Sequence, residues 1–301
     1  MDPFQIIFLA FNSTALLIGI TTNTCMAAVI STQSAVIRLL STSNRLLLIA
    51  VALANILLQC CSAGCVLLRF LWKDVFFKDC VWKNFYILFP IFFFSNIWFN
   101  SWLCTFYCIK IVNFSHALLA RIKLRFSGMV PWLLLGSVLA SIVINVPDTV
   151  YISNLSTLST TANTTFVVED YQYNNFQIML MIAMGCLAPL VVIVASSVLV
   201  LTSLYRHTQL MQQNMEGLNG GPNMAAHIKA AKTILSLLVL FIFYAVVSIV
   251  GLTQDAGDTI HAKFYITLCA YNSYPSINSL ILILGNPKLK TAIIKGFSIQ
   301  H

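Results

Sequence analysis

The constraint that most limits how this chain can fold is the spacing of its charges. Crossing about 30 Å of hydrocarbon takes about 20 residues with few or no charges, and eight uncharged gaps reach that length: Pro3 to Ile37, Leu46 to Leu68, Asn84 to Ile109, Phe126 to Pro147, Thr149 to Val168, Tyr171 to Tyr205, Thr233 to Gln254 and Phe264 to Pro287. The fifth gap, TVYISNLSTLSTTANTTFVV, is dominated by Ser, Thr and Asn, whose polar groups are costly to bury in lipid without partners. It reads as a loop, and seven spans remain. Their continuous apolar character over such lengths excludes a β-barrel, which needs many strands of about 10 residues alternating in polarity.

Composition fits the same solvent. Hydrophobic residues make up 59% of the 301 and charged residues 9%, against about 45–50% and about 25% in soluble domains. Nucleic acid is excluded as a partner: the basic residues form no run, and the aromatics sit within apolar stretches instead of alternating with cations. The expected fold is therefore an all-α membrane protein, a seven-helix bundle with spans at about 4–30, 46–70, 84–109, 127–147, 176–204, 232–253 and 264–285. The whole chain, 1–301, forms one domain, and residues 148–175 form its second outer loop.

Positive residues near helix ends are retained on the cytoplasmic side. One set of loops carries twelve Lys and Arg against Glu216 alone, a net of +11, while the other carries five bases against eight acids, a net of −3. The expected N-terminus is extracellular and the C-terminus cytoplasmic, with the plasma membrane as the location of a multi-pass chain. The first stretch has no basic n-region and no small-residue cleavage site, so it reads as a span, not a signal peptide. Two sequons, at Asn154 and Asn163, fall in the outer polar loop and are read as glycosylation sites. Those at Asn12 and Asn113, one within a span and one cytoplasmic, read as chance matches. Eight of nine cysteines (Cys25, Cys60, Cys61, Cys65, Cys104, Cys108, Cys186 and Cys269) lie in spans as small apolar residues, and Cys80 lies near the outer surface.

The spans carry no Asp, Glu, Lys or Arg along their centres, no Gly-rich filter and no inverted repeat, which disfavours a transporter or channel. The five histidines are scattered over loops and termini without metal-ligand spacing, so neither an enzyme nor a metal or other cofactor is expected. A receptor that binds a small molecule between helices and signals by moving them remains.

Specific residues carry a resemblance. The seventh span ends in Tyr274-Pro275-Ser276-Ile277-Asn278-Ser279-Leu280-Ile281-Leu282-Ile283-Leu284-Gly285-Asn286-Pro287-Lys288-Leu289-Lys290, and the third contains Trp98 followed by FYCIKIVNFSHALLARIK from Phe106 to Lys123. SLYRHTQLMQ (203–212) closes the fifth span, AHIKAAKTILSLL (226–238) opens the sixth, and Gly19 with Asn23 marks the first. Together these blocks resemble the taste receptor type 2 family of G protein-coupled receptors, the bitter taste receptors. The alternative, a vomeronasal type 1-like chemosensory receptor, is separated from it by the YPSxxSxILILGN block. Rhodopsin-like signatures are absent, and the second outer loop has no cysteine to bridge to the third helix. Two departures stand out: Ala54-Asn55 replaces the family's usual serine–arginine in the second helix, and Asn278 stands where histidine is usual in the seventh. A neutral amide at Asn55 can still bridge helices by hydrogen bonds.

The resemblance implies a ligand site in the outer half of the bundle, between the third, fifth, sixth and seventh helices. Its frequent third-helix tryptophan falls here on Phe89, the polar position one turn deeper on Phe93, its seventh-helix Glu or Gln position on Leu268, and its sixth-helix aromatic on Tyr244. Phe92 and Asn96 lie on the adjoining ridge of the third helix. With no acid available for a protonated amine, the ligands expected are neutral and mainly hydrophobic bitter-type compounds, oriented by Tyr244, Tyr271 or Asn272. A heterotrimeric G protein, gustducin-like or Gi-type, is the implied partner, facing Lys110, Arg121, Lys123, Arg125, Arg206, His207, His227, Lys229 and Lys288; the same basic face can contact anionic membrane lipid. Pro275 removes a backbone hydrogen bond inside the seventh helix and is read as its hinge.

Overall fold

The computed structural model describes residues 3–32, 40–76, 81–112, 117–161, 175–214, 222–252 and 259–298. All regular structure among them is helical. The spans are Pro3–Thr32, Thr42–Leu71, Val81–Ile111, Ala117–Thr161, a fifth made of Asn175–Met181, Ile182–Leu187 and Ala188–Asn214, then Pro222–Leu252 and Thr259–Gly285. A short turn of helix, Lys73–Phe76, follows the second span, and a terminal helix, Pro287–Ser298, follows the seventh.

Six spans contain a stretch long and apolar enough to cross a membrane by length and composition alone. The seventh has the length, 27 residues, but its apolar run is broken by buried Asn272, Tyr274, Ser276, Asn278 and Ser279. Those residues face the bundle, where each makes at least one hydrogen bond to another helix, so they do not meet lipid.

Most helices run past the spans expected for them, as with Thr42–Leu71 against 46–70 and Val81–Ile111 against 84–109. At about 1.5 Å per residue, the 30 residues of Pro3–Thr32 exceed the hydrocarbon slab by more than a turn at each end. Charges limit what lies in lipid, not where a helix stops. The largest difference is at the fourth span: the segment expected to be loop from residue 148 is helical backbone as far as Thr161. A helix emerging from the bilayer needs no apolar surface, so its Ser, Thr and Asn do not end it. The sequence also gave no sign of the terminal helix, in which Leu289 and Ala292 are buried while Lys290 and Ile294 are exposed.

Neighbours pack in a closed order. The first helix lies against the second and seventh, the third against the second, fourth and fifth, and the sixth against the fifth and seventh. Consecutive spans alternate in direction, as contacts at opposite ends show. At one end the Phe8 ring lies 4.8 Å from Tyr265 and 5.5 Å from Phe70; at the other, Ser43 Oγ donates to the Ser127 carbonyl at 3.1 Å. Large apolar side chains face outward on the fourth and fifth helices, with Trp132 74% and Met179 70% exposed. In water such a surface would be a liability; in lipid it is the expected exterior.

Candidate ligand-binding site

The third helix presents Phe89 and Phe93 one turn apart, their rings nearly parallel with centroids 6.1 Å apart. Tyr271 of the seventh helix meets both edge-on, at 5.1 Å and 5.3 Å, the geometry favoured when a ring edge points at a neighbouring π face. Tyr244 of the sixth helix completes the group, 6.2 Å from Phe93 and 5.7 Å from Tyr271. Four of the eight sequence-derived ligand residues therefore form one aromatic cluster joining three helices. Phe92 is half-buried and packs on the core, and Leu268 is half-buried three residues before Tyr271, on the same side of the seventh helix by spacing. Pro90 lies within the third helix directly beside Phe89, where it removes a backbone hydrogen bond.

The polar residues expected to orient a ligand already have partners. The Tyr244 hydroxyl donates to the Ala270 carbonyl, and the Tyr271 hydroxyl donates to Ser248 Oγ at 3.2 Å. Each hydroxyl oxygen keeps acceptor capacity, so a ligand donor has somewhere to bind. Asn272 donates its amide to Asn12 Oδ1 of the first helix.

Asn96 belongs to a different construction, one turn deeper. It donates to Asn55 Oδ1 at 2.7 Å, Asn55 donates to Asn23 Oδ1 at 2.9 Å, and Asn278 donates to Asn100 Oδ1 at 3.1 Å and more distantly to Asn55 Oδ1 at 3.4 Å. Asn100 in turn donates to Asn96 Oδ1 at 3.0 Å. Asn23 Nδ2 reaches the carbonyl of Pro275 at 3.3 Å. Gln59 adds a second bridge, its amide donating to the carbonyls of Ala15 and Asn272 and to Ser276 Oγ at 2.7–3.1 Å. Every one of these amide side chains is almost fully buried. Four helices are thus joined by neutral amides, with no charge to desolvate; Asn23, Asn55, Asn96 and Asn100 both donate and accept, while Asn278 and Gln59 donate only and leave their buried amide oxygens unpaired. The bridging role expected of Asn55 is present, and Asn278, the other departure, is its neighbour. Sequence reading missed Gln59 and Asn100; amides inside apolar runs were the available signal.

Tyr274 connects the two layers. Its ring lies 4.2 Å from that of Tyr244, and its hydroxyl oxygen accepts from Asn100 Nδ2 at 3.4 Å.

At the opposite, basic end, Lys110 Nζ lies 3.5 Å from Ser41 Oγ and 5.0 Å from the Phe106 ring centroid, and Lys123 Nζ donates to the Val112 carbonyl at 3.0 Å. Arg121, Arg125, Arg206 and Lys229 are exposed. The side chains of His207, His227, Lys288 and Asn154 lie outside the described residues, as do Asn163 and Asn113 entirely. Asn12 is 3% exposed and bonded to the Phe8 carbonyl at 2.7 Å, which leaves no room for a glycan. The eight cysteines of the spans are all free thiols.

The family model described as Taste receptor protein (TAS2R) matches residues 1–300. The chain belongs to the taste receptor type 2 family. It is 32% identical over 300 residues to Taste receptor type 2 member 39 of Homo sapiens, covering 97% of this chain and 87% of that protein. To Taste receptor type 2 member 40 of Gallus gallus it is 30% identical over 295 residues, covering 96% and 92%. Membership of the taste receptor type 2 family makes this a multi-pass membrane receptor of the bitter-taste class of G protein-coupled receptors, a class without enzymatic activity. Small-molecule agonists and G protein coupling are general to the family.

Proposed function

We propose that this receptor sits in the plasma membrane with its N-terminus outside, binds neutral, chiefly hydrophobic bitter-type compounds at the aromatic cluster, and activates a heterotrimeric G protein of gustducin-like or Gi type. The observation that carries the reading is the convergence of Phe89, Phe93, Tyr244 and Tyr271 from three helices, with no carboxylate, amine or imidazole among them. Such a site offers area and π surface to an apolar ligand and nothing to neutralise a buried charge. Leu268 and Phe92 extend the wall, while Asn96 and Asn272, engaged in joining helices, form its floor.

Agonist binding shifts the seventh and sixth helices relative to the third through the Tyr244–Tyr274 contact, and Pro275 serves as the hinge. The G protein docks at the basic end, on Lys110, Arg121, Lys123, Arg125, Arg206, His207, His227, Lys229 and Lys288; anionic lipid borders the same face. The positive-inside bias supports this orientation.

The test is a calcium response in cells carrying a chimeric taste-type G protein, exposed to a bitter panel that includes hydrophobic neutral compounds, with mock-transfected cells as control. The expected result is a dose-dependent response that disappears in Phe89→Ala and in Tyr244→Ala at equal surface level. Full responses in both variants would remove the cluster from the ligand site.

A further inference from the structure

The fifth span departs from α-helical geometry over Ile182–Leu187, which forms a π turn. Such a turn adds one residue to the helix without breaking it, so side chains on its two sides are rotated by roughly 100° from the register of an unbroken α-helix. Within it Gly185 lies buried against the ring of Phe94. A Cβ built on Gly185 would stand 1.9 Å from Phe94 Cε1 and 2.6 Å from Cδ1, so the glycine is required for room. Phe94 is 5% exposed, and its ring centroid lies 5.8 Å from Phe93 of the aromatic cluster. Met181 and Cys186 flank the contact and are buried as well. The Cε1 edge of the Phe94 ring thus fills the hole left by a missing side chain, immediately beside the cluster.

We propose that Phe94 seated on Gly185 is a gate to a second apolar compartment of the ligand site, between the third and fifth helices, which takes a planar aromatic ring of a neutral ligand when Phe94 turns away. The proposal rests on the aromatic cluster being the ligand site. A ligand ring entering there replaces the ring contact with Gly185 that Phe94 gives up, so little apolar area returns to solvent on exchange. The π turn helps in a second way. Its wider, less regular hydrogen bonding lets the glycine backbone adjust more readily than a plain α-helix would. Discrimination follows from shape: flat rings fit against a bare glycine, branched aliphatic groups do not.

The experiment uses the full-length receptor in detergent with radiolabelled benzophenone as a neutral two-ring photoprobe. Saturable labelling is measured on peptides spanning Phe89 to Phe94 and Ile178 to Leu187. Phe94→Ala opens the compartment and is expected to increase saturable labelling of the fifth-helix peptide. Phe94→Leu, which keeps apolar volume and is better suited to folding, should shift it the same way to a smaller extent. Adding Gly185→Leu to Phe94→Ala refills the hole and should weaken benzophenone binding by about tenfold. Fifth-helix labelling indifferent to all three variants, with third-helix labelling still saturable, would overturn the gate and leave the ligand site standing. Absence of saturable third-helix labelling in the unmodified receptor would instead overturn the site itself, and the gate with it.

Discussion

Asn55 is the residue on which the buried amide lattice turns, because it donates to Asn23 and accepts from Asn96 and Asn278. Removing it takes away three interhelical hydrogen bonds, stranding Asn23 Oδ1 and Asn96 Nδ2 while Asn278 Nδ2 keeps Asn100, and interhelical hydrogen bonds in membranes are worth about 0.6 kcal/mol each on average. Asn55→Ala is therefore expected to cost roughly 2 kcal/mol, read as a lower melting temperature of the detergent-solubilised receptor. Unchanged melting would show that the lattice does not hold the helices together. The contrast with the family's usual arginine is physical. A buried cation needs an acid or several carbonyls around it, whereas an amide is satisfied by other amides, and this chain supplies them at Asn23, Asn96, Asn100 and Asn278. These residues were visible in the sequence as amides in apolar runs. Their pairing was not, since it depends on the rotation of four helices about their axes.

At the scale of elements, the seven spans were legible because the absence of charge over about 20 residues is a demand of the solvent and does not depend on packing. Helix ends were less legible, for the reason seen at Thr161: beyond the bilayer nothing in the charge pattern stops a helix. The π turn at Ile182–Leu187 left no trace in residue type, being a matter of backbone register against Phe94. Of the residues read from the sequence as ligand-binding, Phe89, Phe93, Tyr244 and Tyr271 lie together in one aromatic cluster, while Asn96 and Asn272 turn inward to the helix-joining layer. Close approach between elements gives a sharp prediction. A Cβ on Gly19 would meet the Gln59 amide oxygen at 2.0 Å, while one on Gly136 would meet nothing within 4 Å. Gly19→Leu is expected to lower cell-surface expression by pushing the Gln59 amide off its bonds to Ala15, Asn272 and Ser276, and Gly136→Leu, facing lipid, to leave it unchanged. Equal surface levels for the two variants would contradict this packing.

For the whole molecule, the charge asymmetry of the two ends predicts the orientation, and the sequons at Asn154 and Asn163 give that prediction a readout. An N-terminal epitope tag should be reachable by antibody on intact cells, and a mass shift on endoglycosidase treatment should disappear in the Asn154→Gln/Asn163→Gln double variant. A tag reached only after permeabilisation would reverse the topology. The central claim, that an apolar aromatic site selects neutral ligands, is tested most directly by one variant. Leu268→Glu introduces an acid beside the cluster on the seventh helix, so agonist dose–response curves for neutral and for cationic bitter compounds should be compared in the unmodified receptor and in Leu268→Glu at matched surface expression. The account predicts that the variant loses potency for neutral agonists and gains it for cationic ones, because a buried carboxylate is stabilised by a cation and desolvated by an apolar ligand. An unchanged ranking of the two ligand classes would contradict it.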